Sequence, residues 1–238
     1  MGHREGVVGV AIGEDQFRAG FRIAYASEFA GGPIEVEFFA ETTGNRSYFL
    51  LSMGDRMRHR ARNFAFTATF VGVPLSDPFA HLSDIGGPGG IIEIAVGRPL
   101  VQPLVLNEFV RLEDTLDLLQ PGASGQLVVN CRRPLPLVTN REAVFAQPGD
   151  APLVAVQLAI ELRRDDAQLD ALVEQLMADV RYGPPEQRER PLRLLLSLRA
   201  PAAIDRWRTL VDHLDPLVFE RVRQSLWSSG YQQSETGP

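Results

Sequence analysis

The chain has 238 residues, 45% of them hydrophobic, which suffices for a packed core and is too many for a disordered segment. Its net charge is −6 and its basic residues are all arginine, so general nucleic-acid binding is disfavoured and a catalytic or P-loop lysine is excluded. No apolar run is long enough to span a membrane, and the polar start does not resemble a signal peptide. We therefore expect a cytoplasmic protein.

Residues 7–138 carry the alternation and the turn signals of β-strands. Residues 34–38 alternate apolar and acidic side chains, and residues 63–73 place three phenylalanines on one face. Gly86-Gly-Pro-Gly-Gly90 is interpreted as a flexible turn, because a phosphate-binding loop would be followed by a helix and here a strand pattern follows. The pattern predicts an antiparallel β-sandwich over residues 1–140.

Two stretches of this region resemble bacterial immunoglobulin-like sandwich modules. Gly31-Gly-Pro-Ile-Glu-Val-Glu-Phe38 resembles an early strand of such modules, and Pro121-Gly-Ala-Ser-Gly-Gln-Leu-Val-Val129 resembles their final strand. The Cys–Trp–Cys signature of antibody domains is absent from the sequence. The resemblance implies an immunoglobulin-like sandwich.

A Pro/Gly-rich segment at 141–151 is predicted as a domain boundary, after which the apolar period changes from 2 to 3.6. We predict a helical region of about five helices over residues 152–227 and a disordered tail at 228–238. The first helix is placed at 154–162, and the second at 169–180 with Asp165 or Asp166 as its cap. The third covers 192–198, and Pro201 and Asp215 open the last two.

The helical region also has an internal similarity. The segment that starts at Ala159 roughly matches the segment that starts at Leu195. This repetition resembles HEAT or armadillo repeats, and the resemblance implies a stacked array that serves as a binding surface. A plain helical bundle packed against the sandwich is the alternative. The predicted fold class is therefore α+β with segregated parts.

The most unusual local feature is an alternation of arginines over residues 56–62. An extended segment would place all four on one face, where guanidinium groups could bind an anion or a partner, and two further arginines could extend the surface from a neighbouring strand. A solvated edge strand, protected by charge from aggregation, is the alternative. The candidate binding residues are Arg56, Arg58, Arg60, Arg62, Arg132 and Arg133.

The segment 76–84 combines carboxylates, hydroxyls and an imidazole. Asp77, His81 and Asp84 could form a metal-dependent or acid–base site, although the same residues are common in turns. The lone Cys131 is interpreted as a buried strand residue rather than a reactive thiol.

No recognised catalytic motif occurs, so we expect no enzyme activity, no cofactor and no metal. The sequence favours a non-catalytic protein-interaction module or adaptor that uses its helical surface or its arginine-rich edge. The alternatives are an anion or nucleic-acid binder that uses the four arginines of 56–62 and an enzyme centred on the three side chains of the 76–84 segment. Another protein is the expected partner, nucleic acid is disfavoured, and an edge strand could mediate oligomerisation.

Overall fold

The computed structural model describes residues 4–12, 15–55, 60–82, 86–146 and 151–208. Strands dominate this part of the chain: β1 (Glu5–Ile12), β2 (Asp15–Ala26), β3 (Ile34–Thr42), β4 (Tyr48–Asp55), β5 (Arg60–Ala61), β6 (Ala65–Phe70), β7 (Val73–Leu75), β8 (Gly86–Ile94), β9 (Leu100–Val105), β10 (Ser124–Pro134) and β11 (Leu153–Arg163). The helices are α1 (Asp166–Tyr182), α2 (Glu189–Ser197) and α3 (Pro201–Arg208). Short 3-10 turns lie at Leu106–Glu108, Leu112–Thr115, Arg141–Ala146 and Pro185–Gln187.

The strands form three antiparallel sheets. The first has the order β1-β2-β3-β9, the second β11-β10-β6-β7 and the third β5-β4-β8. In β3 the alternation predicted from the sequence is confirmed: Ile34, Val36 and Phe38 are buried, and Glu35 and Glu37 lie on the other face. Salt bridges from Arg18 and Arg22 of β2 line that outer face.

Aromatic rings join the inner faces of the two larger sheets. Phe21 of β2 contacts Phe38 of β3, with ring centroids 5.2 Å apart, and also Phe66 of β6, at 5.8 Å. Phe64 precedes β6 and lies 5.7 Å from Phe38. Edge-to-face contacts of this kind bury large apolar areas, so the core lies between these two sheets.

The helices pack together at one end of the sandwich. In α1 the buried residues recur at helical spacing, and the Asp165 side chain caps the helix by accepting a hydrogen bond from the Gln168 N–H at 3.1 Å. The predicted second helix and its cap are thus confirmed. The same apolar cluster includes Val105 at the end of β9, with Leu116 packed against it, so the helices are anchored to the sandwich.

Two buried polar side chains fix the loop between β2 and β3. Asn107 accepts a hydrogen bond from the Ile34 N–H and donates one to the Gly32 carbonyl, each at 3.1 Å. Thr115 Oγ1 accepts from the Gly31 N–H at 2.9 Å. Gly31 has φ +75°, a backbone conformation that strains any residue with a side chain, and a Cβ there would also press on the Leu116 side chain at 2.9 Å.

The helix predicted at 154–162 is wrong, because these residues form strand β11. β11 pairs antiparallel with β10 over its whole length, from Ser124↔Arg163 to Pro134↔Leu153. Val154, Leu158 and Leu162 fit a helical face, but apolar residues occupy every even position from 154 to 162, which is the period of a strand. The residues that follow the predicted boundary therefore belong to a sheet.

The predicted two-part fold class, with a HEAT-like or bundle region after the sandwich, is also wrong. The part of the chain that the structure describes is rich in β-structure, with three sheets and few, short helices. A repeat array needs stacked helix pairs, and the first helix of the apparent repeat is β11. The predicted fifth helix and the tail lie outside the described residues.

The glycine-rich segment Gly86-Gly-Pro-Gly-Gly90, predicted as a flexible turn, is instead the first part of β8. It pairs with β4, so the predicted turn is wrong. Within the described ranges, every helix is too short or too polar to cross a membrane.

Candidate functional site

The two segments singled out in the sequence meet in one ion pair. Arg60 Nη1 donates to Asp77 Oδ1 at 2.9 Å, and Arg60 Nη2 donates to Asp77 Oδ2 at 2.7 Å. Asp77 Oδ1 also accepts the Phe79 N–H at 2.8 Å, which closes a turn. Both carboxylate oxygens of Asp77 are therefore engaged within the protein.

This pair lies at the junction of the sandwich and the helices. Arg60 Nη1 also donates to the Glu108 carbonyl at 2.9 Å, and its guanidinium carbon lies 4.8 Å from the centroid of the Phe109 ring. The Glu108 carboxylate accepts two hydrogen bonds from Arg193 of α2, at 2.8 and 2.9 Å. Glu108 thus joins the Arg60–Asp77 pair to α2.

Further charged residues lie beside the Arg60–Asp77 pair, namely Arg199, Glu113 and Arg111. The guanidinium carbon of Arg199 is 4.4 Å from the centroid of the buried Phe79 ring, and burial lowers the pKa of Arg199. Glu113 accepts from Arg111 Nε at 3.2 Å, and burial raises the pKa of its carboxyl group. The junction therefore holds arginines and carboxylates that largely neutralise one another.

Of the other residues predicted for a catalytic or anion-binding site, His81 and Arg62 are described by the structure, and both lie on exposed turns. His81 is exposed on the turn that follows Phe79. β5 ends at Ala61 and a turn follows, so Arg60 and Arg62 do not lie on one extended face; Arg62 is exposed. Arg56, Arg58 and Asp84 lie outside the described residues. The described residues contain no group of three or more His, Cys, Asp or Glu side chains placed to hold a metal ion.

Arg132 and Arg133 point to opposite sides of β10. Leu127, Val129, Cys131 and Arg133 face the core in alternation, whereas Arg132 is exposed. Burial raises the pKa of the Cys131 thiol to about 12, so the neighbouring arginines do not activate it. The predicted burial of Cys131 is confirmed.

Arg133 is the most unusual residue of the core. Its side chain is only 1% exposed and crosses the sandwich, with its guanidinium carbon 4.2 Å from the centroid of the Phe38 ring and 4.3 Å from that of Phe64. Among the described residues its one hydrogen bond goes from Nη1 to Gln102 Oε1 of β9, at 3.0 Å. Nε is buried without a partner, and burial lowers the pKa of Arg133 to about 9.

Sequence reasoning named Arg133 but assigned it to a surface, and it did not find Gln102 at all. The inward position of Arg133 could have been predicted, because it continues the alternation of the apolar residues of β10. No local signal in the sequence marks Gln102, because its hydrogen bond with Arg133 joins strands of two different sheets.

Comparison with known proteins assigns the chain to no family. No protein-family model matches the chain, and no curated protein matches its sequence. The resemblances to immunoglobulin-like modules and to HEAT repeats therefore gain no support from relatives.

Proposed function

We propose that this chain is a non-catalytic protein-binding module whose partner supplies an acidic group to the sandwich. The observation that carries this proposal is the buried guanidinium of Arg133, which lacks a carboxylate partner among the described residues. Burying a charge without a counter-charge is costly, and such groups are normally paired. A partner that brings a carboxylate would remove that cost and gain affinity from it.

The neighbouring residues make Arg133 a suitable anchor. Arginine is one of the residue types enriched among those that dominate binding interfaces, and Arg133 is packed against two aromatic rings. Gln102 accepts a hydrogen bond from Nη1 and lies on β9, which is the last of the described strands in its sheet. An edge strand is also where a partner or a second copy can approach.

The enzymatic alternative has weaker support. An acid–base or metal site needs free carboxylate oxygens, and those of Asp77 accept hydrogen bonds from Arg60 and from the Phe79 N–H. His81 lies exposed on the same turn, and no ion pair joins it to Asp77 in the described part of the chain.

The anion or nucleic-acid alternative also has weaker support. Arg60, one of the four arginines on which it depends, is neutralised by Asp77. The net charge of −6 opposes a phosphate backbone.

Affinity capture from the source cells tests the proposal. Full-length wild-type protein, Arg133→Met and Arg18→Met serve as baits; Arg18 is a matched control because it lies exposed on the outer face of its sheet. We expect one stoichiometric protein that resists nuclease treatment, is retained by wild type and Arg18→Met, and is lost from Arg133→Met. Capture of nucleic acid alone, or of a partner that Arg133→Met retains equally well, would contradict the proposal. Self-association appears as a concentration-dependent mass in sedimentation and identifies the partner as a second copy.

A further inference from the structure

The outer faces of the two larger sheets differ in how their charges are arranged. On the first sheet, Arg18 pairs with Glu41 and Arg22 pairs with Glu37. On the second sheet, β6, β10 and β11 lie side by side, and every second residue points outward. Over residues 126–132 of β10 and the residues that pair with them, the outward side chains are Ala65, Thr67 and Thr69 of β6, Gln126, Val128, Asn130 and Arg132 of β10, and Ala155, Gln157, Ala159 and Glu161 of β11.

The two charges of this second-sheet face lie at its opposite ends. The two central rows, which hold no charge, are in register Thr69–Val128–Ala159 and Thr67–Asn130–Gln157. Arg132 lies in the row beyond Asn130, and Glu161 lies in the row beyond Val128. Neither charge forms an ion pair with another described residue, unlike Arg18 and Glu41. Protein–protein interfaces are likewise depleted of charge at the centre and polar at the rim.

The second-sheet face is open in the part of the chain that the structure describes. Thr67 of β6, Arg132 of β10 and Gln157 of β11 are all exposed, so no described helix or loop covers the middle of the face. Arg133 lies on the other side of β10, toward the core. The face is therefore separate from the surroundings of Arg133.

The shape of the second-sheet face is complementary to itself. A two-fold axis that lies in the face, perpendicular to the strands and midway between the two central rows, places each row over a row of a second copy. Gln157 then lies over the small Ala159 of the second copy, and Glu161 lies over the small Ala155. Long side chains thus meet short ones, as they must where two sheets pack about 10 Å apart.

The same axis brings unlike charges together. Arg132 faces Gln126 of the second copy, and Glu161 of that copy lies on the neighbouring strand, about 4.8 Å to the side. Symmetry makes this contact twice in the dimer. Opposite charges at matched positions favour one register and one partner over others, so the charges select a second copy as the occupant of the face.

The size of the face fits a reversible dimer. β10 and β11 pair over 11 residues, which is about 36 Å, and four strands span about 19 Å. With the shorter β6 and β7 taken into account, the face covers about 500 Å² before the relief of its side chains is added. A standard interface buries about 800 Å² per partner, so we expect association that depends on concentration.

We infer that the second-sheet face is a self-association surface, on which two copies of the chain pack face to face and pair Arg132 with Glu161. This inference goes beyond the proposed function, because it uses another face of the sandwich and does not involve Arg133.

Sedimentation of the full-length protein over about 1–500 μM tests the inference. The variants are Arg132→Glu, Glu161→Arg, their combination in one chain, and an equimolar mixture of the two single variants. Arg18→Glu is the matched control, because it makes the same change of charge on the outer face of the first sheet. Circular dichroism checks that each exposed substitution leaves the fold unchanged.

We expect the wild-type mass to rise with concentration from that of one chain toward that of two. Each single variant should associate about tenfold or more weakly, because both contacts then join like charges. Association should return in the doubly substituted chain and in the mixture, since unlike charges again meet at both contacts. Arg18→Glu should behave as wild type does.

Several results would overturn the inference. They are a wild-type chain that stays monomeric, single variants that associate as strongly as wild type, a mixture that stays monomeric, and an equal loss in Arg18→Glu. Arg133→Met separates the inference from the proposed function. Self-association that Arg133→Met keeps and Arg132→Glu loses supports the second-sheet face, even where affinity capture contradicts the proposed function. Self-association that only Arg133→Met loses makes the second copy the acidic partner of the proposed function and overturns this face.

Discussion

Arg60 and Asp77 form a two-point ion pair that ties the loop after β7 to the short strand β5. The side chains are 10% and 33% exposed, and each carboxylate oxygen accepts one guanidinium nitrogen. A pair of this geometry and burial stabilises the fold more than an exposed pair does.

Asp77→Asn should therefore lower the free energy of unfolding by about 1–3 kcal/mol, because it leaves the buried Arg60 guanidinium without a counter-charge. Urea unfolding at neutral pH measures the effect. Asp114→Asn is the matched control, since Asp114 lies 3.5 Å from Arg111 in an exposed pair and should cost less than about 1 kcal/mol. Equal effects of the two substitutions would mean that the Arg60–Asp77 pair is not specially stabilising.

Gln102→Glu should stabilise the wild-type chain and destabilise Arg133→Met. In the wild type the new carboxylate meets Nη1, which Gln102 already contacts at 3.0 Å. In Arg133→Met it meets only apolar surroundings. A double-mutant cycle in urea should give a coupling of about 1.5–3 kcal/mol, the range for hydrogen bonds to charged groups. A coupling near zero would show that residue 102 does not contact the guanidinium in solution.

The stability of the protein should depend on pH through Arg133. Burial lowers the pKa of Arg133 from 12.5 to about 9 in the folded chain. Above pH 9 the folded chain therefore binds fewer protons than the unfolded chain, and stability rises with pH; below pH 9 both states hold the proton and the cost of the buried charge is complete.

The comparison with Arg133→Met isolates this dependence, because all other titrating groups are shared. At about pH 8 the variant should be more stable by about 1–4 kcal/mol, as when other buried ions are replaced by apolar side chains. The difference should shrink as pH rises above about 9. Chemical unfolding at a series of pH values measures it, and a difference that does not change with pH would refute the assignment.

Cys131 should be inert in the folded protein. It is buried and its thiol pKa is raised to about 12, so little thiolate exists at neutral pH and reagents cannot reach it. Iodoacetamide should label the chain completely in denaturant and negligibly without it, as measured by mass spectrometry. Rapid stoichiometric labelling of the native chain would contradict the burial of this strand face.

Local signals explain which parts of the fold could be predicted. The alternation of apolar and acidic residues at 34–38 predicts both strand β3 and the face of it that is buried. Asp165 followed by apolar residues at helical spacing predicts helix α1 and its cap. Each element is thus predicted by a short segment alone. Residues 154–162 fit both periods, and only pairing with β10 decides for the strand. The ion pair of Arg60 and Asp77 depends on contacts between distant segments, which no spacing reveals.

Asn107 holds a loop although no motif or pattern in the sequence marks it. It is 1% exposed and bonds to both the Ile34 N–H and the Gly32 carbonyl, so it holds the loop that leads into β3. Asn107→Ala removes a donor and an acceptor together and leaves buried backbone groups without partners. The expected loss is about 2 kcal/mol or more.

Hydrogen exchange adds a local measurement to urea unfolding. In Asn107→Ala the amide of Ile34 should exchange faster than amides in the middle of β3, because its acceptor is gone. Asn130→Ala is the control, since its exposed hydrogen bond from Gln157 spans 3.1 Å and its removal should change stability by less than about 0.5 kcal/mol. If the two variants unfold alike and protection of Ile34 is unchanged, the loop is held by Thr115 and packing rather than by Asn107.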